Sequence, residues 1–351
     1  MSTTTGSGSP GEDGSPRIGL VLGGGGITGF AFHSGVLSTL GRLTGWDPRT
    51  ADVIVGTSAG SGFGAMLRGG VPVDEVLSHL LAAPSNPETM ARLRVLSGRE
   101  LNAPSWFWLG PGSPRLLLKE LCPPWRARPS RLAVSLTPHG RIPTDYLGDR
   151  VRELHGLDWP QATYWACALR LRDGERTVFG AADVDVDVGT AVEASSAIPG
   201  FFQPVWIEGE RYVDGAVHSP TNADLVAELD LDLVLVLSPM SAEGTDALRT
   251  LDAVSRLASA AALRRELAEL EHSSAQVLVL EPSVDEIRTM GPINMDPTRM
   301  VPTVLQSSAS TLERLAAPEH AEALATLRRA ARETTPPPTV PYPTATARRF
   351  P

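Results

Sequence analysis

Ser58 is the residue whose surroundings say most about chemistry. It stands in the pentad Gly56-Thr57-Ser58-Ala59-Gly60, between the apolar run "DVIVG" and the helix-like "SAGSGFGAMLRGG". A Gly-x-Ser-x-Gly sequence between strand and helix reads as a nucleophile elbow. The turn is sharp and crowded, so small residues must flank the serine. The serine then lies at a helix N-terminus, where backbone N–H groups favour negative charge. A serine nucleophile needs two further parts: a base for its proton and donors for the oxyanion.

A second feature precedes it. Gly23 to Gly26 are four glycines in a row, and Gly29 follows. Such a run is entropically costly, so something must approach the bare backbone closely. Two anions compete: a dinucleotide phosphate and the oxyanion of acyl transfer. A dinucleotide fold places an acid at the end of the second strand to hold the ribose. Here the pentad occupies that position, and Asp52 stands at the strand's start. The oxyanion is therefore favoured. Loops after adjacent parallel strands share one sheet edge, so the glycine run and the pentad can meet.

The base is the third part. There are seven histidines, and neither His272 nor His320, the late ones, follows a strand. Asp214, in "RYVDGAVHSPTNADL", follows a short strand and precedes Gly215 and Ala216. There it would project at a sheet edge; the plain alternative is an Asp-Gly turn. His218 invites a Ser-His-Asp reading, against that of a local hydrogen-bonding residue. A dyad without histidine would show no essential ionisation near 6.5.

These parts need a scaffold. Strands are expected at "RIGLVL", 52–56, 163–171, 176–181, 210–215 and 231–238, with helices after the glycine run, after the pentad, over 73–83 and over 222–230. Alternating strands and helices predict an α/β fold with a mainly parallel central sheet and helices on both faces. Two long helices are expected at about 244–272 and 308–333, making 244–333 a helical C-terminal part. Residues 84–150, rich in Pro, Arg and Trp and carrying Trp106, Phe107 and Trp108, read either as a lid or as an insertion packed on the sheet. Residues 1–16 and the six-proline segment 334–351 read as disordered tails around a folded 17–333.

Composition excludes several classes. The net charge is −9 and no long basic run occurs, which argues against nucleic-acid binding. Cys122 and Cys167 form no CxxC pair, so no metal site is expected. The N-terminus lacks the basic start and apolar core of a signal peptide, and no run reaches about 18 apolar residues. The expected location is cytoplasmic, with peripheral membrane contact open.

Taken in order, "GLVLGGGGITGFAFHSGVL", "VIVGTSAGSGFGAML" and "ASSAIPGFFQPV" followed by "YVDGAV" resemble the patatin-like phospholipase family. The resemblance covers about residues 17–240. It implies a three-layer α/β/α domain and hydrolysis of lipid acyl esters by a Ser-Asp dyad, with no cofactor. By that carry-over Ser58 is the nucleophile and Asp214 its base. The loop Gly24, Gly25, Gly26, Ile27, Thr28 and Gly29 is the oxyanion hole. The partner is a lipid or other acyl-ester substrate. One departure stands out: Thr28 replaces an Arg or Lys common in the family. If charge there assists the oxyanion, Thr28→Arg would raise activity. The alternative reading is a weakly active or inactive lipid-binding or scaffold protein that keeps the fold.

Overall fold

The computed structural model describes residues 14–85, 112–121, 128–243 and 251–343. Eight strands form one sheet: β1 (Ile18–Leu22), β2 (Val53–Thr57), β3 (Thr163–Arg170), β4 (Arg176–Phe179), β5 (Val205–Ile207), β6 (Glu210–Asp214), β7 (Leu233–Leu237) and β8 (Gln276–Leu280). The order is β5-β6-β3-β2-β1-β7-β8, with β4 also paired to β3. The neighbours from β3 through β8 run parallel, whereas β4 and β6 pair antiparallel to β3, and β5 to β6. Every residue of β1, β2 and β7 is buried. That is why these strands read as unbroken apolar runs.

Helices cover both faces: α1 (Gly26–Thr44), α2 (Ala59–Arg68), α3 (Val73–Ala82), α4 (Pro114–Leu121), α5 (Pro129–Leu136), α6 (Asp145–His155), α7 (Val188–Ser195), α8 (Ala253–Leu270), α9 (Val284–Met290), α10 (Met300–Leu315) and α11 (Ala321–Glu333). Alternation along the strands separates two cores. Leu20, Leu22, Ile54, Leu235 and Leu237 pack with residues of α1, α3, α7, α10 and α11. Val21, Val55, Val234 and Val236 pack on the other face with Ala223, Val226 and Leu263 and Leu270 of α8. The result is a three-layer α/β/α fold with a mixed, mostly parallel sheet.

Several expectations change. The segment 244–333 is not only helical: β8 lies within it and extends the parallel edge beyond β7. At five residues it is as long as β1 and β7, but it is an edge strand and only partly buried, and it lies between two long helical stretches. The helix expected at 308–333 begins at Met300 and is interrupted at Pro318, where proline cannot continue the ladder, so α10 and α11 are separate. The helix expected over 222–230 is a single 3-10 turn at Ala223–Val226. Residues 334–343 are not a loose tail. Tyr342 is buried in the larger core, and the Val340 amide donates to the Gly70 carbonyl at 2.9 Å. Apolar and hydrogen-bonding partners offset the ordering cost that composition alone suggested could not be met. The stretch 84–150 supplies α4, α5 and most of α6, while Trp106, Phe107, Trp108 and Cys122 lie outside the described residues. So do residues 1–13 and 344–351.

Candidate active site

Strand register brings the three motifs together. Leu22 at the end of β1 pairs with Gly56 near the end of β2, so the glycine run and the pentad leave the sheet side by side. The arrival of Asp214 is less obvious. Ala166 and Cys167 of β3 pair with β2 on one side and β4 on the other. Ala168 and Leu169 pair with β4 and with β6. β2 and β6 therefore share one edge of β3 and meet end to end. Thr57 pairs with Cys167 and Asp214 with Ala168, the very next residue. The chain leaves that junction at Ser58 and reaches it at Asp214.

Locally, Ser58 has φ 53° and ψ −121°, a positive φ that L-residues rarely adopt. Neighbours hold it there. Its amide donates to Ser195 Oγ (2.9 Å), and its carbonyl accepts from Ser61 N (2.9 Å) and Ser61 Oγ (2.7 Å). The flanking glycines are steric necessities. A Cβ on Gly60 would collide with the Leu22 carbonyl, and one on Gly56 would stand 2.7 Å from the Gly60 oxygen. Ser58 precedes α2 and is only 4 % exposed.

Asp214 is 3 % exposed. Its Oδ1 accepts from the Ala216 amide at 2.8 Å, and its own amide donates to the Ala197 carbonyl at 3.0 Å. The Ser58 hydroxyl lies within hydrogen-bonding reach of its carboxylate. Burial pushes the carboxyl up to about 7, and the Ser58 and Ala216 hydrogen bonds offset only part of that. The group is thus divided between its two protonation states near neutral pH.

The glycine run lies against this pair. A Cβ on Gly24 would stand 3.2 Å from Ser58 Cβ and 3.5 Å from Ala216 Cβ. Its amides are not equivalent. Gly24 N–H donates to the Pro220 carbonyl (2.8 Å), Thr28 N–H to Asn294 (3.1 Å) and Gly29 N–H to Gly25 (2.7 Å). These three are engaged, which narrows the expected oxyanion donors to Gly25, Gly26 and Ile27. Their amides have no acceptor among the described residues. They open α1 and so lie at its positive end.

Other groups at the site had no motif to mark them. His33 is fully buried and its Nε2–H donates to the Gly23 carbonyl at 2.8 Å, bracing the glycine run. Desolvation takes its imidazole down to about 4, so it stays neutral. Asn222 Nδ2 donates to Thr57 Oγ1 (3.0 Å), beside the elbow. Ser195 lies in "ASSAIPG", a stretch singled out only through the family resemblance. Thr28 has no exposed surface, and the 294–295 segment packs over Gly26. His218 is also brought down to about 4, first by burial and then by Arg176 and Arg131. Its buried Nδ1 has no hydrogen-bond partner among the described residues.

Beside Ser58 opens an apolar cavity of about 180 Å³, walled by Ile27, Phe30, Met66, Leu80, Val192 and Phe202 among others. Among the described residues no three His, Cys, Asp or Glu side chains are grouped to hold a metal ion, and no helix is long and apolar enough to cross a membrane.

Residues 20–227 match the family model described as patatin-like phospholipase, and with more than half the chain matched, the protein belongs to that family. Uncharacterised NTE family proteins of Mycobacterium bovis and Mycobacterium tuberculosis are 28 % identical over 227 residues, covering 64 % of this chain and 49 % of theirs. The chain thus spans about half the length of the curated relatives it matches. Among solved structures, the type III effector protein ExoU is similar over 85 % of this chain and 53 % of its own, at 20 % identity and a TM-score of 0.33. ExoU also occurs in a solved complex with SpcU from Pseudomonas aeruginosa. VipD of Legionella pneumophila matches over 86 % of this chain and 70 % of its own, at 14 % identity and a TM-score of 0.32. Both structural likenesses are remote.

Proposed function

We propose that this protein is a serine lipid acyl hydrolase that cleaves carboxylic esters of phospholipids or other acyl lipids. One observation carries the reading: a strained serine within hydrogen-bonding reach of a buried carboxylate, at the head of an apolar cavity. Asp214 takes the Ser58 proton as Oγ attacks the ester carbonyl carbon. The tetrahedral oxyanion accepts N–H donors from Gly25, Gly26 and Ile27, held in place before the reaction. Collapse of that intermediate expels the alcohol, which takes the proton from Asp214 and leaves an acyl-Ser58. Water then attacks, with Asp214 again the base, releasing the fatty acid and restoring the hydroxyl. An apolar cavity suits an acyl chain, and contact with a lipid surface would deliver it.

Thr28, neutral and buried where the family resemblance leads to a cation being expected, favours a second reading: a protein that binds lipid without turning it over. Labelling and turnover separate the two. Under the hydrolase reading a fluorophosphonate probe labels Ser58, and Ser58→Ala lowers turnover on a lipid-ester panel by about 10⁴-fold or more while the fold survives. Equal turnover by the Ala variant would remove Ser58 from the chemistry. An unlabelled wild type that nevertheless binds lipid would support the scaffold.

A further inference from the structure

The cavity beside Ser58 runs along one helix. From the second helix and its cap it takes Ser58, Ala59, Gly62 and Met66, a stripe at helical spacing. Eight residues separate its ends, roughly 12 Å at about 1.5 Å per residue. Away from Ser58 the wall comes from a part of the chain that no motif covers. Residues 334–343 return in extended form past the C-terminal end of α2. Val340 N–H bonds the Gly70 carbonyl at 2.9 Å. Buried Arg49 reaches the Pro338 carbonyl and Thr339 Oγ1, each at 3.5 Å. Two residues beyond Val340, Tyr342 enters the cavity wall and is 8 % exposed. Its ring stacks on His79 of α3, with centroids 3.9 Å apart and planes 14° from parallel. Its hydroxyl accepts from Arg150 Nη1 of α6 at 3.2 Å.

We propose that Tyr342 is the end wall of the acyl pocket and sets the longest chain the site accepts, which makes the C-terminal strap a specificity element. This rests on the acyl hydrolase reading of the same site. The ring is held on three sides: by the strap's anchors, by the His79 stack and by the Arg150 hydrogen bond. A chain longer than the cavity must displace that ring and bring methylenes against a guanidinium, which is unfavourable. Shorter chains meet a mostly apolar lining, with Ile27, Phe30, Met66, Leu80 and Val192 along it, and gain about fourfold in binding per buried methylene.

The test uses the full chain and esters of one leaving group with acyl chains from four to sixteen carbons. Tyr342→Ala should raise the ratio of kcat/KM for long chains to that for butyrate by on the order of tenfold or more, as two or more further methylenes find room. Tyr342→Phe keeps the ring and should keep the wild-type ratio. Tyr342→Leu, intermediate in size, provides a second variant if the Ala form melts early. Fatty-acid affinity, measured calorimetrically on the Ser58→Ala background, reports pocket length without turnover. A shift to longer fatty acids on that background, with no ester turnover by the protein that retains Ser58, would uphold the wall and remove the hydrolase reading. An unchanged length profile in a folded Tyr342→Ala protein, or a change equal at every length, would overturn the wall.

Discussion

Replacing Asp214 by Asn should make the protein more stable and all but inactive. The carboxyl is buried, and desolvation raises it from 3.8 to about 7. A raised acid pKa means that the folded state holds the proton more tightly than the unfolded chain. Below pH 4 both states are protonated and nothing is lost. As pH rises from about 4 to 7 the unfolded chain releases its proton first, and the fold loses stability throughout that window. Three units at about 1.36 kcal/mol each amount to about 4 kcal/mol by pH 8. Asparagine keeps the shape, and its oxygen can still accept from the Ala216 amide, but it never ionises. Urea unfolding at pH 4, 6 and 8 measures the difference. The variant should exceed the wild type by up to about 4 kcal/mol at pH 8 and converge with it toward pH 4, while ester hydrolysis falls to background. A variant no more stable than wild type at pH 8, or a gap that ignores pH, would refute the account of the buried carboxylate. The same shift changes the expected pH–rate profile. Wild-type turnover should rise through about pH 7 as Asp214 ionises. An ionisation in the histidine range is therefore no sign of a catalytic histidine, contrary to what the unperturbed pKa of aspartate suggests.

Mutation makes the distinction that pH cannot. His218→Ala should retain hydrolysis within about tenfold of wild type, because its buried Nδ1 has no hydrogen-bond partner among the described residues; a folded variant as dead as Asp214→Asn would establish a triad. Thr28→Arg should destabilise rather than activate. Thr28 has no exposed surface, and an unpaired buried guanidinium costs on the order of 3 to 5 kcal/mol. Thermal melting read beside turnover checks this, and a normally stable, more active variant would restore the idea of a missing cation.

The sequence alone carried what is local. The glycines at 56 and 60 are written by a turn that leaves no room for a Cβ. Central strands buried on both faces show as apolar runs, and the α/β alternation follows from them. The pentad, the glycine run and Asp-Gly-Ala could therefore be read as separate parts, and their order resembled one family. What no local pattern contains is which segments meet. Asp214 reaches Ser58 because β6 abuts β2 on a shared edge of β3, a register among strands more than a hundred residues apart in part. The narrowing of the oxyanion donors depended on acceptors at Pro220 and Asn294, far along the chain. No local pattern marks His33, whose imidazole meets the Gly23 carbonyl only in the folded chain. The strap was misread for the same reason: a proline-rich segment has no periodicity, and its order comes from Arg49, Gly70, His79 and Arg150. Backbone sterics act over a few residues and leave their mark in sequence. Burial, pKa and the partner of a hydrogen bond depend on neighbours that only the folded chain assembles.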